Sequence, residues 1–155
     1  MEIRKLTESD YDQVIELYKA LDDLHAEARP DCCVRRPKEQ VYPKDAYLHN
    51  LAYPEGLELG AFDGTQLVGV LRATLWNESG MVKGVKTVCL DDIYVLPTHR
   101  RRGIAAKLFT VTEQWARAEG ATRLDLHVWS FNADALALYH AMGMTPQRYM
   151  LEKKL

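Results

Sequence analysis

Cysteine is scarce in this chain, which argues against two common kinds of stabilisation, a disulfide framework and a zinc site. The 155 residues include three cysteines, of which Cys32 and Cys33 are adjacent. Such a set forms no disulfide framework, so we expect a reducing compartment and a cytoplasmic protein. The sequence also lacks the spaced cysteines and histidines of a zinc site, and we therefore expect no metal ion.

Long apolar runs and a strong excess of one charge are also missing. No apolar run approaches the ~20 residues of a membrane span, and residues 1–4 show no signal-peptide pattern, so we expect no membrane association. The formal net charge is −2, which disfavours nucleic acid as the main partner. A length of 155 residues is enough to bury an ordinary core, and it predicts a single domain, 1–155.

The most informative stretch, residues 88–108, predicts a strand, a basic turn and a helix. Its first part is rich in β-branched and large apolar residues, as in a buried strand. Pro97 ends that strand because it has no N–H to contribute to a ladder. An apolar series at helical spacing follows the turn: Ile104, Leu108, Val111 and Trp115. Gly120 is expected to cap the C-terminal end of this helix.

The start of this helix has the features of an anion site. The first N–H groups of a helix lack intrahelical partners, and the positive end of the dipole lies behind them. Gly103 and Ala105 keep the approach free of large side chains, and positive charge surrounds it: Arg100, Arg101 and Arg102. The pattern predicts a diphosphate site, but a simple turn glycine beside a solvated basic surface explains it about equally well.

Two motifs resemble those of the GNAT superfamily, the acyl-CoA-dependent N-acetyltransferases. Arg100, Gly103 and Ala105 match its Arg/Gln-x-x-Gly-x-Gly/Ala signature. Residues 123–129 then alternate as a strand, and Asn132 begins a helix that Gly143 closes. This second segment resembles the Asn-x-x-Ala-x-x-Leu-Tyr-x-x-x-Gly-Phe motif. Five positions match: Asn132, Ala135, Leu138, Tyr139 and Gly143. At the last position Met144 replaces the aromatic residue.

The resemblance covers nearly the whole chain and implies a GNAT fold. This is an α/β fold with a mixed central sheet flanked by helices, in the order β-α-α-β-β-β-α-β-α-β. The patterns elsewhere agree: Thr7 and Asp10 predict a helix start, and Asp63-Gly64 predicts a hairpin turn. The remaining predicted segments are strands 3–6, 57–61, 67–76 and 147–153, a helix through residue 21, a patternless stretch 22–42, a helix 43–51 and a loop 77–84.

The resemblance also implies acetyl-CoA as the cosubstrate. Its diphosphate would bind to the basic turn and the first helical turn: Arg100, Arg101, Arg102, Gly103, Ile104, Ala105, Ala106 and Lys107. Backbone groups of Ile93, Tyr94 and Val95 would pair with pantetheine as a further strand does, and a backbone N–H there would bind the acetyl carbonyl. Asn132 would be a pantetheine contact, although an N-cap role alone would explain it.

Tyr139 occupies the position of the family's thiol-protonating tyrosine. The resemblance therefore implies that its hydroxyl gives a proton to the departing thiolate and that the residue also contacts the cofactor. A plain core tyrosine is the alternative, since Leu138 and Met142 beside it are core-forming residues.

Asp91 and Asp92 are the candidate bases. They interrupt an otherwise apolar strand, where a carboxylate is costly unless it is paired or functional. Residues 90–95 resemble the Leu-Glu-Asp-aromatic-aromatic-Val segment of polyamine-type members, in which the first acid is the proposed base, acting through water. This implies Asp91, although aspartate is one methylene shorter than glutamate. Because successive strand residues face opposite ways, we expect only one of the two to face the cleft.

The resemblance implies an enzyme that moves an acetyl group from acetyl-CoA to a primary amine by direct attack. The acceptor is a small-molecule or peptide amine. Four acidic residues of the variable segment could attract it: Asp22, Asp23, Glu27 and Asp31. Solvated surface charges are the simpler explanation of these residues. A non-catalytic acetyl-CoA sensor is the alternative, and it would need neither acid nor base. A homodimer is compatible with the resemblance, since dimerisation is common in the family.

Overall fold

The computed structural model describes residues 1–77 and 84–155. Its centre is a five-stranded sheet in the order β1-β2-β3-β4-β5. Neighbouring strands are antiparallel except for β4 and β5, which are parallel. The strands are β1 (Glu2–Lys5), β2 (Gly56–Asp63), β3 (Gln66–Asn77), β4 (Lys86–Val95) and β5 (Arg123–Leu126). The sheet is therefore mixed, as expected.

Helices cover both faces of this sheet, and each face has its own apolar core. They are α1 (Tyr11–Ala28), α2 (Lys38–Val41), α3 (Lys44–Ala52), α4 (Ile104–Ala118) and α5 (Ala133–Ala141), with short 3₁₀ turns at Glu8–Asp10 and Pro97–His99. One core joins the sheet to α4 and α5 through Leu108, Phe109 and Tyr139. The other joins it to α1 and α3 through Val14 and Tyr47. None of the helices in the two described ranges is long and apolar enough to cross a membrane.

The start of the first helical segment is fixed by the predicted pair of Thr7 and Asp10. Asp10 Oδ2 accepts hydrogen bonds from the Thr7 backbone N and from Thr7 Oγ1, each at 2.8 Å. The Arg4 guanidinium donates to both carboxylate oxygens of Asp10, also at 2.8 Å. These bonds hold the pKa of Asp10 down at about 2, the hydrogen bond from Arg4 being the largest cause. The capping box is confirmed, and β1 is tied to it.

Three boundaries differ from the sequence prediction. The first helix continues through residues 22–28, where the apolar pattern fails, because Asp23 pairs with Lys19 and Asp22 pairs with Arg36. The short α2 lies inside the same stretch. Strand β5 ends at residue 126, three residues early. The expected loop 77–84 falls largely on residues 78–83, which lie outside the described residues.

The predicted closing strand, 147–153, was wrong: residues 145–155 have no regular secondary structure. Tyr149, Met150 and Leu151 are consecutive, so a strand would direct apolar side chains to both of its faces. Each of the three is at least 82% exposed, and the segment gains no burial that would offset the entropy of ordering it. The tail instead forms two ion pairs with residues that follow the C-terminal end of α1: Arg29–Glu152 at 3.0 Å and Asp31–Lys154 at 3.4 Å.

A β-bulge in the middle of β4 opens the sheet. Arg72 of β3 lies opposite Asp92, whereas the next residue, Ala73, lies opposite Leu90, so Asp91 is the extra residue. The parallel pairing of β4 with β5 also ends at Leu90. Within the described residues, β4 from Asp91 onward therefore has no strand neighbour on its β5 side.

Candidate active site

The bulge brings both aspartates of β4 to one guanidinium. Arg72 Nη2 lies 2.7 Å from Asp92 Oδ2, and Arg72 Nε lies 3.8 Å from Asp91 Oδ2. The expectation that only one aspartate faces the cleft agrees with the cavity beside Arg72, which Asp91 lines and Asp92 does not. The bulge nevertheless breaks the alternation of side chains, so both carboxylates reach the same guanidinium. The guanidinium also lies over the rings of Tyr42 and Tyr18, at 5.4 and 6.0 Å from their centroids.

The two carboxylates have different surroundings. Asp91 accepts a hydrogen bond of 2.7 Å from Thr74 Oγ1, and it lines a cavity of about 290 Å³. Asp92 is more enclosed, and burial raises its pKa while the charge of Arg72 opposes that rise. Asp91 therefore reaches open space, whereas Asp92 is committed to an ion pair.

Tyr139 projects from α5 into the core, close enough to Asp92 for the charge of that carboxylate to act on it. It is 8% exposed, and its ring lies 6.4 Å from that of Phe109. Burial, with a smaller contribution from the negative charge of Asp92, raises the pKa of Tyr139 to about 12. The phenol therefore remains protonated at neutral pH, which is the form that a proton donor needs.

The turn before α4 is shaped to receive an anion. Arg101 and Gly103 both have left-handed backbone conformations, with φ of 63° and 74°. A Cβ placed on Gly103 would have no other heavy atom within 4 Å, so the space beside the helix start is open. The neighbouring cationic residues Arg101, Arg102 and Lys107 are exposed. An open, positively charged helix N-terminus fits a diphosphate.

Arg100 differs from its neighbours, because its side chain already has a partner. Its Nε donates a 3.1 Å hydrogen bond to the carbonyl of Val95, and its guanidinium lies 5.5 Å from the centroid of the Tyr94 ring. The residue ties the turn to the end of β4. Ile104 is 3% exposed, so its side chain belongs to the core and it can offer a ligand only its backbone.

The other predicted cofactor residues flank the open edge of β4. Ile93, Tyr94 and Val95 pair with β3 on one side. On the other side the Val95 carbonyl is taken by Arg100, and the remaining backbone groups have no strand neighbour among the described residues. Asn132 caps α5, as expected, since its side chain accepts a 3.2 Å hydrogen bond from the backbone N of Ala135. Ala105 and Ala106 are half-buried in the first turn of α4.

Sequence reasoning missed a second set of polar groups on the same face of the sheet. Glu58 of β2 lies opposite Arg72 and is 5% exposed. Tyr42 Oη donates a 2.6 Å hydrogen bond to its Oε1 and accepts one of 2.8 Å from Asn50 Nδ2. The available signal was a lone charged residue among apolar neighbours, both at Glu58 and at Arg72.

Three of the four acidic residues that could attract an amine, Asp22, Asp23 and Asp31, are paired with cations. Asp22 and Asp23 have arginine or lysine partners, as described above, and Asp23 also lies 3.2 Å from Arg35 Nε. Asp31 Oδ1 lies 2.9 Å from Arg29 Nε. These contacts agree with surface charges and give no acceptor site by themselves.

Comparison with known proteins places this site in a family. Residues 12–144 match the acetyltransferase (GNAT) family. The chain is 32% identical over 96 residues to an aminoglycoside N(6')-acetyltransferase type 1 from Acinetobacter haemolyticus, covering 60% of this chain and 65% of that protein. It is 36% identical over 58 residues to a thialysine N-epsilon-acetyltransferase from Bos taurus, covering 37% of this chain and 34% of that protein. These matches span less than two thirds of each relative.

A solved structure agrees over the full length. The crystal structure of a mutant BH1408 protein from Bacillus halodurans superposes with a TM-score of 0.93 at 25% identity, covering 100% of this chain and 99% of that one. The family match likewise extends over most of the chain, including the bulge, the turn before α4 and Tyr139. This protein therefore belongs to the acetyltransferase (GNAT) family.

Proposed function

We propose that the protein transfers an acetyl group from acetyl-CoA to a primary amine of a cationic acceptor. One observation carries the proposal: where β4 loses its β5 neighbour, Asp91 and Asp92 lie at Arg72, and the charge of Asp92 reaches the buried Tyr139. A candidate proton acceptor and a candidate proton donor thus both neighbour Asp92 at an opening in the sheet. The members of this family use acetyl-CoA, and the relatives named above are named for acetylation of amines.

The turn before α4 is the proposed diphosphate site. Bound acetyl-CoA supplies an activated acetyl thioester. The first N–H groups of α4 and the exposed Arg101, Arg102 and Lys107 hold its anionic end. Arg100 contributes by fixing the turn to Val95. The free backbone edge of residues 93–95 orients the pantetheine arm, and one N–H of this edge stabilises the charge that develops on the acetyl carbonyl.

Asp91 is the proposed base. A free alkylammonium has a pKa near ~10.4 and must lose a proton before it can attack. Asp91 lines the cavity and is oriented by Thr74, so it can accept this proton directly or through a water molecule. Asp92 keeps Arg72 in place through its 2.7 Å ion pair.

Tyr139 is the proposed acid. As the amine nitrogen forms its bond to the carbonyl carbon, the carbon–sulfur bond breaks and a thiolate departs. The Tyr139 hydroxyl gives its proton to that sulfur, which avoids a stranded charge in a partly dry site. Its phenol is available for this role because burial keeps it protonated.

The rival function is a non-catalytic acetyl-CoA sensor. A thiol-release assay with acetyl-CoA and a panel of polyamines, amino acids, aminoglycosides and short peptides separates the two. Calorimetry with CoA runs on the same sample. Turnover with one amine class supports the enzyme. Tight CoA binding without any turnover favours the sensor, and absence of CoA binding contradicts both.

A further inference from the structure

Glu58 is a buried carboxylate that the proposed acetyl transfer does not use. Its Oε1 accepts the 2.6 Å hydrogen bond from Tyr42 Oη. Its Oε2 is buried and has no hydrogen-bond partner among the described residues. A buried oxygen of this kind carries a desolvation penalty, so most such groups have a partner. Glu58 therefore lacks a cationic or hydrogen-bonding contact that a ligand can supply.

The cavity of about 290 Å³ extends from Glu58 to the bulge of β4. Both Glu58 and Asp91 line it, together with Asn50, Arg72 and Thr74. Strands β2 and β4 are separated by β3, which places their backbones roughly 10 Å apart. The cavity thus connects the proposed reaction centre to a second carboxylate at the distance of a short aliphatic chain.

The charges that face this space are unbalanced. Two carboxylates, Glu58 and Asp91, line the cavity. The guanidinium beside them, that of Arg72, lies 2.7 Å from a third carboxylate, Asp92. With Arg72 held by Asp92, the carboxylates of Asp91 and of ionised Glu58 leave the cavity two positive charges short. A partner that brings two cations into the cavity offsets this deficit, since buried charges are stabilised only when they are paired.

We propose that Glu58 binds a second ammonium group of the acceptor, so that the preferred acceptor carries two amino groups, one held at Glu58 and the other presented at Asp91. This assignment rests on the proposed function and specifies its substrate class. It makes Glu58 a specificity-determining residue that is separate from the acid and the base.

The ionisation of Glu58 gives this contact a pH dependence. Burial, the largest cause, raises the pKa of Glu58 to about 7, and the hydrogen bond from Tyr42 and the charge of Arg72 limit the rise. Glu58 therefore becomes anionic as the pH rises through neutrality, and affinity for a diamine rises with it. Groups from every neighbouring element face this carboxylate: Tyr18, Tyr42, Tyr47, Arg72, Asp91 and Asp92.

The test compares 1,4-diaminobutane with 1-aminobutane as acceptors of wild type and of Glu58→Gln. Loss of a charged contact should lower kcat/KM for the diamine by about 10-fold or more, with a change of less than about two-fold for the monoamine. Glu113→Gln, in a surface pair with Arg117 at 3.7 Å, is the matched control and should leave both values unchanged. Equal losses with the two amines, or no loss, would overturn the role of Glu58.

Two further measurements keep the test decisive. If Glu58→Gln proves unstable, the wild-type ratio of the two KM values is followed from pH 6 to 8, where a constant ratio overturns the proposal. Calorimetry of 1,4-diaminobutane with the CoA-bound protein measures the contact without turnover. If wild type binds the diamine and Glu58→Gln binds it more weakly, the Glu58 site is supported even if acetyl transfer fails. If the enzyme turns over without preferring the diamine, only the Glu58 site is overturned.

Discussion

Arg72 Nη2 lies 2.7 Å from Asp92 Oδ2, and this ion pair distinguishes the two adjacent carboxylates of β4. Asp92 is committed to Arg72, whereas Asp91 faces the cavity with a hydrogen bond from Thr74. The sequence shows two neighbouring acids of the same chemistry. Their different surroundings arise from the bulge and from Arg72 and Thr74 on the adjacent strand.

Exchanging each aspartate for asparagine should separate these roles. Asp91→Asn is expected to lower kcat by about 100-fold, the usual effect of removing a general base, with little change in the free energy of unfolding. Asp92→Asn leaves the enclosed Arg72 without its strongest partner and should cost about 1–3 kcal/mol of stability. Steady-state kinetics and denaturant unfolding measure both. A larger loss of kcat in Asp92→Asn would reverse the assignment.

Tyr139→Phe should affect the chemical step far more than cofactor binding. Removing the hydroxyl takes away the proton for the thiolate, so kcat is expected to fall by about 100-fold, while the Kd for CoA changes by less than about three-fold. Tyr149→Phe is the matched control, since that tyrosine is 82% exposed. Unchanged kcat in Tyr139→Phe would remove it as the acid and leave it a core residue.

Gly103→Leu should weaken CoA binding because the side chain would occupy the open approach to α4. We expect the Kd for CoA to rise by about 10-fold or more. Gly64→Leu is a matched control, because Gly64 has a similar φ of 62° and is equally unobstructed, but lies in the β2–β3 hairpin. Both variants share the cost of a left-handed leucine, about 1–2 kcal/mol. Equal effects of the two variants on the Kd would contradict the proposed diphosphate site.

The carboxylate of Asp10 should make the stability of the protein fall at acidic pH. Its pKa is lowered to about 2 by Arg4 and Thr7, so its stabilisation is full above the unfolded pKa of about 3.9 and is lost as the pH falls toward 2. Over that pH interval, the free energy of unfolding of wild type is expected to fall by about 1–2 kcal/mol more than that of Asp10→Asn. Urea unfolding at pH 5, 4, 3 and 2 measures the difference, and parallel curves would contradict this origin.

Features set by local sequence were predictable. The hairpin at Asp63-Gly64, the caps at Thr7 and Asn132, and the strand-turn-helix around Gly103 each depend on residues within a few positions of one another. Local chemistry selects the backbone conformation in such cases, so a short pattern is sufficient. The same is true of the motif that identified the position of Tyr139.

Features that depend on pairing between distant segments were not predictable. The bulge at Asp91 follows from the register of β3 against β4, and a shift of one residue leaves no local trace. The Glu58–Arg72 pairing joins two strands through a hairpin whose register shifts at Ala61/Phe62. The tail from residue 147 has a strand-like composition, but its apolar side chains Tyr149, Met150 and Leu151 stay exposed in the folded chain.

The edge of β4 beyond Leu90, which has no strand neighbour among the described residues, has a consequence for self-association. An exposed strand edge is a template on which other chains can add as strands, which leads to aggregation. Here the edge begins at a bulge, which twists it away from a regular ladder, and the carboxylates at its start repel another acidic chain of net charge −2. A slender ligand with amide groups can still pair there. The edge that is proposed to bind the cosubstrate would thus also limit which polymers can bind.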